Sequence, residues 1–227
     1  MLKVELHAHT ADDPADYILH STRALIDRAS ALGYDALAIT LHDRYYDPAG
    51  DRDYAAARRL VLLPGVERTL AARHVLLVNF PRECETVRDF EDIRALKARH
   101  PQGLVVAPHA FYPIGSALSG EVDRFADVID ALEVNSMFTS WLNFNSGAVR
   151  WARSHGKPLV GNTDLHLLSQ MGTTYSLVDA APDPDAICAA IRAGRVEVRS
   201  SALPAVRAAA YFAGMLLGGL VGRVRGR

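Results

Sequence analysis

Two histidines separated by one residue, His7 and His9, end the segment KVELHAHT near the beginning of the chain. Residues 3–10 have the pattern of a β-strand, in which side chains alternate between faces, so His7 and His9 point the same way as Glu5. Two imidazoles held in this way can bind one metal ion. A lone His-x-His pair is more often a pair of polar residues on an exposed strand, so its meaning depends on the rest of the chain.

Further imidazole and carboxylate side chains recur at the ends of other predicted strands. The carboxyl-terminal ends of parallel strands gather at one rim of a barrel, where such folds place their active sites. Five separate strands therefore bring potential metal ligands to one place, and the sequence predicts a metal centre there. Besides His7 and His9, these residues are His42, Glu67, His109, Asp164 and His166.

His74 follows Glu67 too closely for the crossover helix that a parallel connection usually needs. We expect a hairpin-like return, with an antiparallel strand that brings His74 beside Glu67 at the rim. The alternative is a histidine at the exposed start of a strand.

Strands alternate with helices along the chain, which predicts a mainly parallel α/β sheet with helices outside. Seven such strands fit a closed or nearly closed barrel better than an open sheet. No glycine-rich phosphate-binding motif follows the first strand, which argues against a nucleotide-binding open sheet. Predicted helices include residues 22–32, 90–99, 121–129, 145–155 and 184–193, and predicted strands include residues 60–67, 74–80, 103–109, 131–135 and 158–166.

Length and composition allow one domain, or at most two, without a strong electrostatic signature. The 227 residues are 49% hydrophobic, enough for one substantial core, and the net charge of −1 creates no field for attracting nucleic acid. Cys84 and Cys188 are too few for a disulfide framework or a thiolate zinc site. The N-terminus shows no secretion leader, so we expect a cytoplasmic protein.

The C-terminal tail, residues 201–227, differs from the predicted barrel over residues 1–200. Residues 208–222 are uncharged and are flanked by Arg207 and by Arg223, Arg225 and Arg227. This run is shorter than the ~20 residues that span a bilayer. The options are a helix docked on the barrel, an anchor lying on the inner face of the membrane, or a disordered tail, and we favour a helix.

The motifs LHAHT, AITLHD, PGVE, APH and GNTDLH occur in the order typical of the PHP (polymerase and histidinol phosphatase) family, which residues 2–199 resemble. The resemblance implies a distorted seven-stranded, TIM-like βα barrel of the PHP type. It also implies two or three divalent metal ions at the rim. Imidazole and carboxylate ligands suit Zn, Mn or Fe and do not choose among them.

The resemblance also implies a role for each candidate ligand. His7, His9, Glu67 and Asp164 would hold one ion, and Glu67 would bridge to a second ion held by His74 and His109. His42 and His166 match ligands of a third ion.

The remaining ligand of the third ion would come from the turn after His9. That turn offers Asp12 or Asp13, of which we select Asp13, with Asp16 and His20 as less favoured substitutes. The turn reads D-D-P where the family often has S-D-G, so occupancy of the third site stays open. Leu41 stands where the family often has aspartate, but it points away from His42, so we expect coordination by His42 to survive.

The implied activity is hydrolysis of a small phosphomonoester or nucleotide by a hydroxide that bridges two ions, with Glu67, Asp164 and His166 as catalytic residues. Arg44 and Arg68 adjoin predicted ligands and are candidates to bind phosphate, although solvated loop arginines are as common.

Two alternatives remain. The first is an amidohydrolase-type hydrolase, which would need a bridging lysine at the carboxyl-terminal end of a strand. The lysines here do not lie there, because Lys3 and Lys157 begin predicted strands and Lys97 lies within a predicted helix. The second is a metal-stabilised binding or regulatory module without turnover. The expected partner is a small phosphorylated substrate. The sequence has no track of basic and aromatic residues of the kind that binds nucleic acid. We also expect weak membrane association through the tail.

Overall fold

Ten strands and six helices make up the computed structural model, which describes residues 1–224. The strands are β1 (Leu2–Glu5), β2 (Ala36–Ala38), β3 (Val61–Leu63), β4 (Gly65–Leu70), β5 (Arg73–Val78), β6 (Leu104–Ala107), β7 (Ala131–Asn135), β8 (Leu159–Asn162), β9 (Thr174–Val178) and β10 (Val196–Ser200). The helices are α1 (Thr22–Ala31), α2 (Arg52–Ala56), α3 (Phe90–Arg99), α4 (Asn145–His155), α5 (Pro184–Arg192) and α6 (Ala205–Val224).

The strands form two five-stranded sheets, which confirms the mixed α/β class. Their orders are β10-β9-β1-β2-β3 and β4-β5-β6-β7-β8. Within the first sheet β1, β2 and β3 are parallel, and within the second β6, β7 and β8 are parallel. In both sheets, antiparallel strands extend this parallel core.

The closed seven-stranded barrel is not found among residues 1–224. The segment LVLLPGVE was expected to be one strand, but it divides at Pro64 into β3 and β4, which belong to different sheets. Proline has no N–H group to donate to a sheet, so a break there is physically reasonable. The sheets meet at this break through isolated bridges from His42 to Glu67 and from Tyr46 to Gly65.

On the other side of the molecule the two sheets meet at Gly161. Its N–H donates to Ser176 Oγ at 2.9 Å, so a side chain replaces a backbone ladder at this seam. A Cβ atom at Gly161 would lie 2.7 Å from Tyr175 O and 2.9 Å from Val198 Cγ1. The absence of a side chain therefore lets the sheets approach one another.

We expect Gly161→Ala to lower the free energy of unfolding by about 1–3 kcal/mol, because backbone at the seam must move. Urea denaturation would measure this loss. Gly50→Ala is the matched control, since a Cβ there meets nothing within 4 Å. Equal stabilities of the two variants would show that the seam is not tightly packed.

Most of the predicted helices occur. Ser21, Asp89 and Asp183 cap α1, α3 and α5 by accepting a backbone N–H. The helix expected over residues 121–129 is instead two 3₁₀ turns, Ser119–Glu121 and Asp123–Phe125. Burial of Val122, Val128 and Ile129 against the core fixes these tighter turns, an example of packing overriding local propensity.

β5 returns antiparallel to β4, as the short separation of Glu67 and His74 predicted. Thr69 pairs with His74, and Glu67 pairs with Leu76. The return places the His74 ring beside the Glu67 carboxylate, with Nδ1 2.7 Å from Oε1.

The tail forms the long helix α6, which lies against the loops that carry the candidate site. Tyr17 N–H donates to Gly218 O at 3.2 Å, and Tyr211 Oη–H donates to Ser169 O at 2.6 Å. Among residues 1–224, no helix has both the length and the apolar character required to cross a bilayer. Arg225 and Arg227, part of the predicted basic end, lie outside the described residues.

Candidate metal centre

The first two histidines lie just beyond β1, which ends at Glu5 and is shorter than predicted. The chain stays extended because His9 N–H donates to Leu165 O at 3.0 Å and Leu165 N–H donates to His7 O at 3.1 Å. Thr40 N–H donates to Ala8 O on the other side. These bonds fix the backbone between the ends of two neighbouring strands, so both imidazoles have defined positions.

Glu67 is the centre of the site. Its side chain is 1% exposed, and imidazoles from five different positions surround its two oxygens. Oε2 lies 3.2 Å from His7 Nε2, 3.3 Å from His9 Nε2 and 3.3 Å from His42 Nε2. Oε1 lies 2.7 Å from His74 Nδ1 and 3.4 Å from His109 Nε2. The structure thus brings six of the sequence-predicted residues together.

Asp164 provides a second carboxylate on the same side of the rings. Its Oδ1 lies 3.3 Å from His7 Nε2, 3.5 Å from His9 Nε2 and 3.5 Å from His166 Nδ1. Three groups of side chains have ligand atoms within 4.8 Å of one another and so could each hold an ion. These groups are His7, His9 and Asp164; His42, Glu67 and His74; and His9, His42 and His166.

Asp13 and Asp16 occupy different positions from those expected. Asp13 Oδ2 lies 2.9 Å from His9 Nδ1 and 3.0 Å from His42 Nδ1, behind rings whose Nε2 atoms face Glu67. Asp16 Oδ2 instead lies 3.0 Å from His166 Nε2. The structure therefore places Asp16 beside the third group, and it places Asp13, the selected ligand, where it orients two rings.

The other two candidates of the turn do not face the cluster. Asp12 Oδ2 accepts a hydrogen bond from Thr22 Oγ1 at 3.3 Å. His20 Nε2–H donates to the carbonyl oxygen of His9 at 2.8 Å.

Glu133 is a site residue that the sequence analysis missed. It is fully buried on β7, and its Oε2 lies 2.8 Å from His7 Nδ1. Its Oε1 accepts from His109 N–H at 3.1 Å and from Asn135 Nδ2 at 2.8 Å. A single carboxylate within the apolar strand ALEVN was the available signal, because an isolated buried charge is costly.

The side chains present fit divalent ions. His9 Nε2, Glu67 Oε1, His74 Nδ1 and His109 Nδ1 are buried without a hydrogen bond of good geometry in the described chain, although Glu67 Oε1 and His74 Nδ1 lie 2.7 Å apart. A buried polar atom without a partner costs about 1–3 kcal/mol, so several in one cluster indicate a ligand. The donor set of imidazoles and carboxylates suits Zn, Mn or Fe.

Neighbouring charges in the cluster shift the pKa values of its residues in the direction opposite to burial. Burial lowers the pKa of His7, but the carboxylates of Asp164 and Glu67 outweigh it and raise that pKa well above its ordinary value. Burial lowers the pKa of His9, but the nearby carboxylates of Asp13 and Asp164 outweigh it and raise that pKa well above its ordinary value. Burial would raise the pKa of Glu67, but the imidazoles of His74 and His7 lower it strongly. Without metal, the cluster therefore holds protons that an ion must displace.

We expect divalent metal binding to release protons and to tighten as pH rises, because His7 and His9 must be neutral to ligate. Titration calorimetry of the metal-free protein in two buffers of different ionisation enthalpy would measure the release. Equal apparent enthalpies in the two buffers, with an affinity independent of pH, would show that protonated imidazoles are not the binding groups.

His109 and Asp164 have a left-handed backbone, with φ of 32° and 55°. Such conformations cost about 1–3 kcal/mol in residues other than glycine and are concentrated at functional sites. At His109 the conformation also breaks the alternation of β6. Val105 and Ala107 pack towards α3 and α4, whereas His109 turns towards Glu67.

The two arginines lie at the edge of the site. Arg68 lies on the opposite face of β4 from Glu67, where Nη1–H donates to Asp43 Oδ1 at 2.6 Å and Nη2–H donates to Val87 O at 2.7 Å. Arg44 is exposed, and its Nη1–H donates to Asp12 O at 2.7 Å. The placement of Arg68 gives no support to its predicted phosphate contact.

Comparison with known proteins confirms the resemblance seen in the sequence. Residues 143–196 match the family model of the PHP-associated region. No curated protein sequence matches the chain.

Solved structures with a similar fold include a two-domain protein from Bacteroides vulgatus that contains a predicted PHP-like metal-dependent phosphoesterase. It has a TM-score of 0.65 and 18% identity over 88% of this chain and 64% of that one. PsfC from Pseudomonas syringae has a TM-score of 0.63 and 18% identity, and the match covers 92% of this chain and 97% of PsfC. The lesion-specific endonuclease PfuEndoQ from Pyrococcus furiosus has a TM-score of 0.56 and 16% identity, and the match covers 87% of this chain and 57% of the endonuclease. At these identities the similarity establishes a PHP-like fold.

Proposed function

We propose that this chain, built on a PHP-like fold, is a metal-dependent phosphoesterase that hydrolyses a small phosphate ester. The observation that carries the proposal is the buried carboxylate of Glu67 among five imidazoles, with ligand atoms that lack hydrogen bonds of good geometry. A structural core has no need for such an arrangement, because the charges and unpaired atoms are costly unless ions are bound.

The contacts support a ligand set close to the one that the family resemblance implied. His7, His9, Glu67 and Asp164 would hold one ion, and Glu67, His74 and His109 would hold a second. For the third ion we propose His42, His166 and Asp16, because Asp16 contacts His166 Nε2 and Asp13 does not.

When bound, the ions would generate a nucleophile from water at neutral pH and neutralise the charge of the phosphoryl oxygens. The chain positions the donors. Glu133 accepts from His7 Nδ1, and Asp13 accepts from the Nδ1 atoms of His9 and His42, which leaves each Nε2 lone pair directed at the cluster. Asp164 and His166, which lie beside one another, are the residues that we expect beside the substrate.

The test is a hydrolysis panel with the Mn-loaded protein. The substrates are p-nitrophenyl phosphate, bis(p-nitrophenyl) phosphate, nucleoside monophosphates and a short oligonucleotide. We expect turnover of phosphomonoesters that is lost after chelation and restored by Mn or Zn. A metal-loaded protein that hydrolyses none of these substrates would instead support a binding or regulatory module.

A further inference from the structure

An apolar groove adjoins the candidate metal centre. It lies between the loop after β6, the loop after β7 and helix α6, and it encloses about 450 Å³. That volume is within the ~300–1,000 Å³ of typical ligand pockets. We name it the aromatic groove, after its lining residues Tyr112, Phe138, Trp141, Phe144 and Phe212.

The groove wall is linked to the metal centre by hydrogen bonds of the segments that carry the ligands. Tyr112 N–H donates to the carbonyl oxygen of His109 at 3.0 Å, so the groove begins three residues after a proposed ligand. Asn135 Nδ2 lies 3.5 Å from Asp164 Oδ2, and Asn135 Oδ1 accepts from the N–H of Met137, which lines the groove. A single residue, Asn135, therefore contacts both Asp164 of the centre and Met137 of the groove wall.

The groove wall favours hydrocarbon over a sugar or a nucleobase. Among its described lining residues none is charged. The Tyr112 hydroxyl already contacts Met137 O at 3.2 Å and Asn145 Oδ1 at 3.3 Å, and Thr139 Oγ1 accepts from Leu142 N–H. A ligand with many hydroxyl or amide groups would leave them unpaired there, which costs affinity.

Large apolar side chains of this wall remain in contact with water. The exposed fraction is 74% for Trp141 and 56% for Phe212. Covering such surface contributes about 25 cal/mol per Å². Apolar contact is therefore the main source of binding energy that this groove offers. Arg68, beside Glu67, already donates to Asp43 and Val87 and lies outside the groove.

We propose that the aromatic groove binds the apolar alcohol part of the substrate, so that the substrate is an alkyl or aryl phosphate monoester. The inference rests on the proposed phosphoesterase function and adds the substrate class to it. The phosphate would lie at the metal centre and the hydrocarbon between Trp141, Phe144 and Phe212.

The test is a binding titration of n-butyl, n-hexyl and n-octyl phosphate, below their micellar concentrations, read by tryptophan fluorescence. Trp141 reports on the groove, and Trp151, which is 8% exposed, is an internal reference. We expect a blue shift and an affinity that increases by about three- to fourfold for each added methylene group. Trp141→Phe should remove the shift. The titration is run with and without bound metal, so that it does not depend on turnover.

Matched variants on α6 locate the binding site. Ala208 lines the groove, whereas Ala210 is exposed and does not line it. Ala208→Phe should fill the groove and weaken octyl phosphate binding by at least about tenfold, and Ala210→Phe should leave it unchanged. Phe212→Ala, which removes part of the wall without adding bulk, should weaken binding in the same direction.

Affinity independent of chain length, or equal effects of Ala208→Phe and Ala210→Phe, would overturn the groove proposal. A blue shift with phospholipid vesicles but not with monomeric octyl phosphate would also overturn it and would assign the apolar surface to a membrane. Hydrolysis of p-nitrophenyl phosphate without chain-length dependence would leave the phosphoesterase function standing. Chain-length dependence without hydrolysis of any ester would leave the groove standing and refute that function.

Discussion

Glu67→Gln is expected to lower metal-dependent phosphoesterase activity by at least ~100-fold. Loss of a carboxylate that only orients a ligand already costs about 10–100-fold in metal affinity or activity, and Glu67 itself contacts five imidazoles. Glutamine keeps the volume but removes the negative charge. The variant should therefore lose activity together with bound metal, which initial rates and elemental analysis would measure.

The control is Glu121→Gln, a glutamate on the surface far in sequence from any proposed ligand. It should retain both the metal content and the rate of the parent protein. Thermal unfolding of both variants after chelation separates folding from metal binding. A Glu67→Gln protein that binds metal and turns over substrate like the parent would refute the assignment of Glu67 as a bridging ligand.

Glu133→Gln is expected to weaken metal binding by about 10–100-fold, although Glu133 would touch no ion. Its carboxylate accepts the proton of His7 Nδ1 and so directs Nε2 towards Glu67 and Asp164. A neutral amide in its place no longer fixes the tautomer or increases the basicity of the ring. Equilibrium titration with Zn in the presence of a competing chelator would measure the loss.

Glu5→Gln is the matched control for Glu133, because both carboxyls are fully buried in the same region. Glu5 accepts hydrogen bonds from His7 N–H and Thr163 N–H and contacts no imidazole nitrogen. Burial raises the pKa of Glu5 to about 8, and glutamine keeps the volume of this side chain. We expect near-normal metal affinity, and a loss equal to that of Glu133→Gln would attribute both effects to general damage of the core.

The site was more predictable than the fold that carries it. The order of the histidine and carboxylate motifs sufficed to predict which residues meet, because most of these residues follow short apolar runs that read as buried strands. The hairpin return to His74 followed from a connection too short for a helix. Closure of the barrel could not be predicted in this way, because it depends on whether β3 and β4 form one strand, and Pro64 divides them.

The contacts of Asp13, Asp16 and Glu133 within the site could not be predicted from the sequence, for other reasons. Asp13 and Asp16 lie three residues apart in one turn, and only the turn's own hydrogen bonds decide which of them faces His166. Glu133 lies in an apolar strand and has no motif of its own. Arg68 alternates with Glu67 along β4 and therefore points away from the centre, which the strand pattern already implied.

Elemental analysis of the purified protein, before and after chelation and reloading with Mn or Zn, tests the central claim most directly. The account predicts two or three divalent ions per chain, removed by chelation, regained on reloading and lost in the Glu67→Gln variant. A folded protein that contains no divalent ion and binds none on reloading would contradict it.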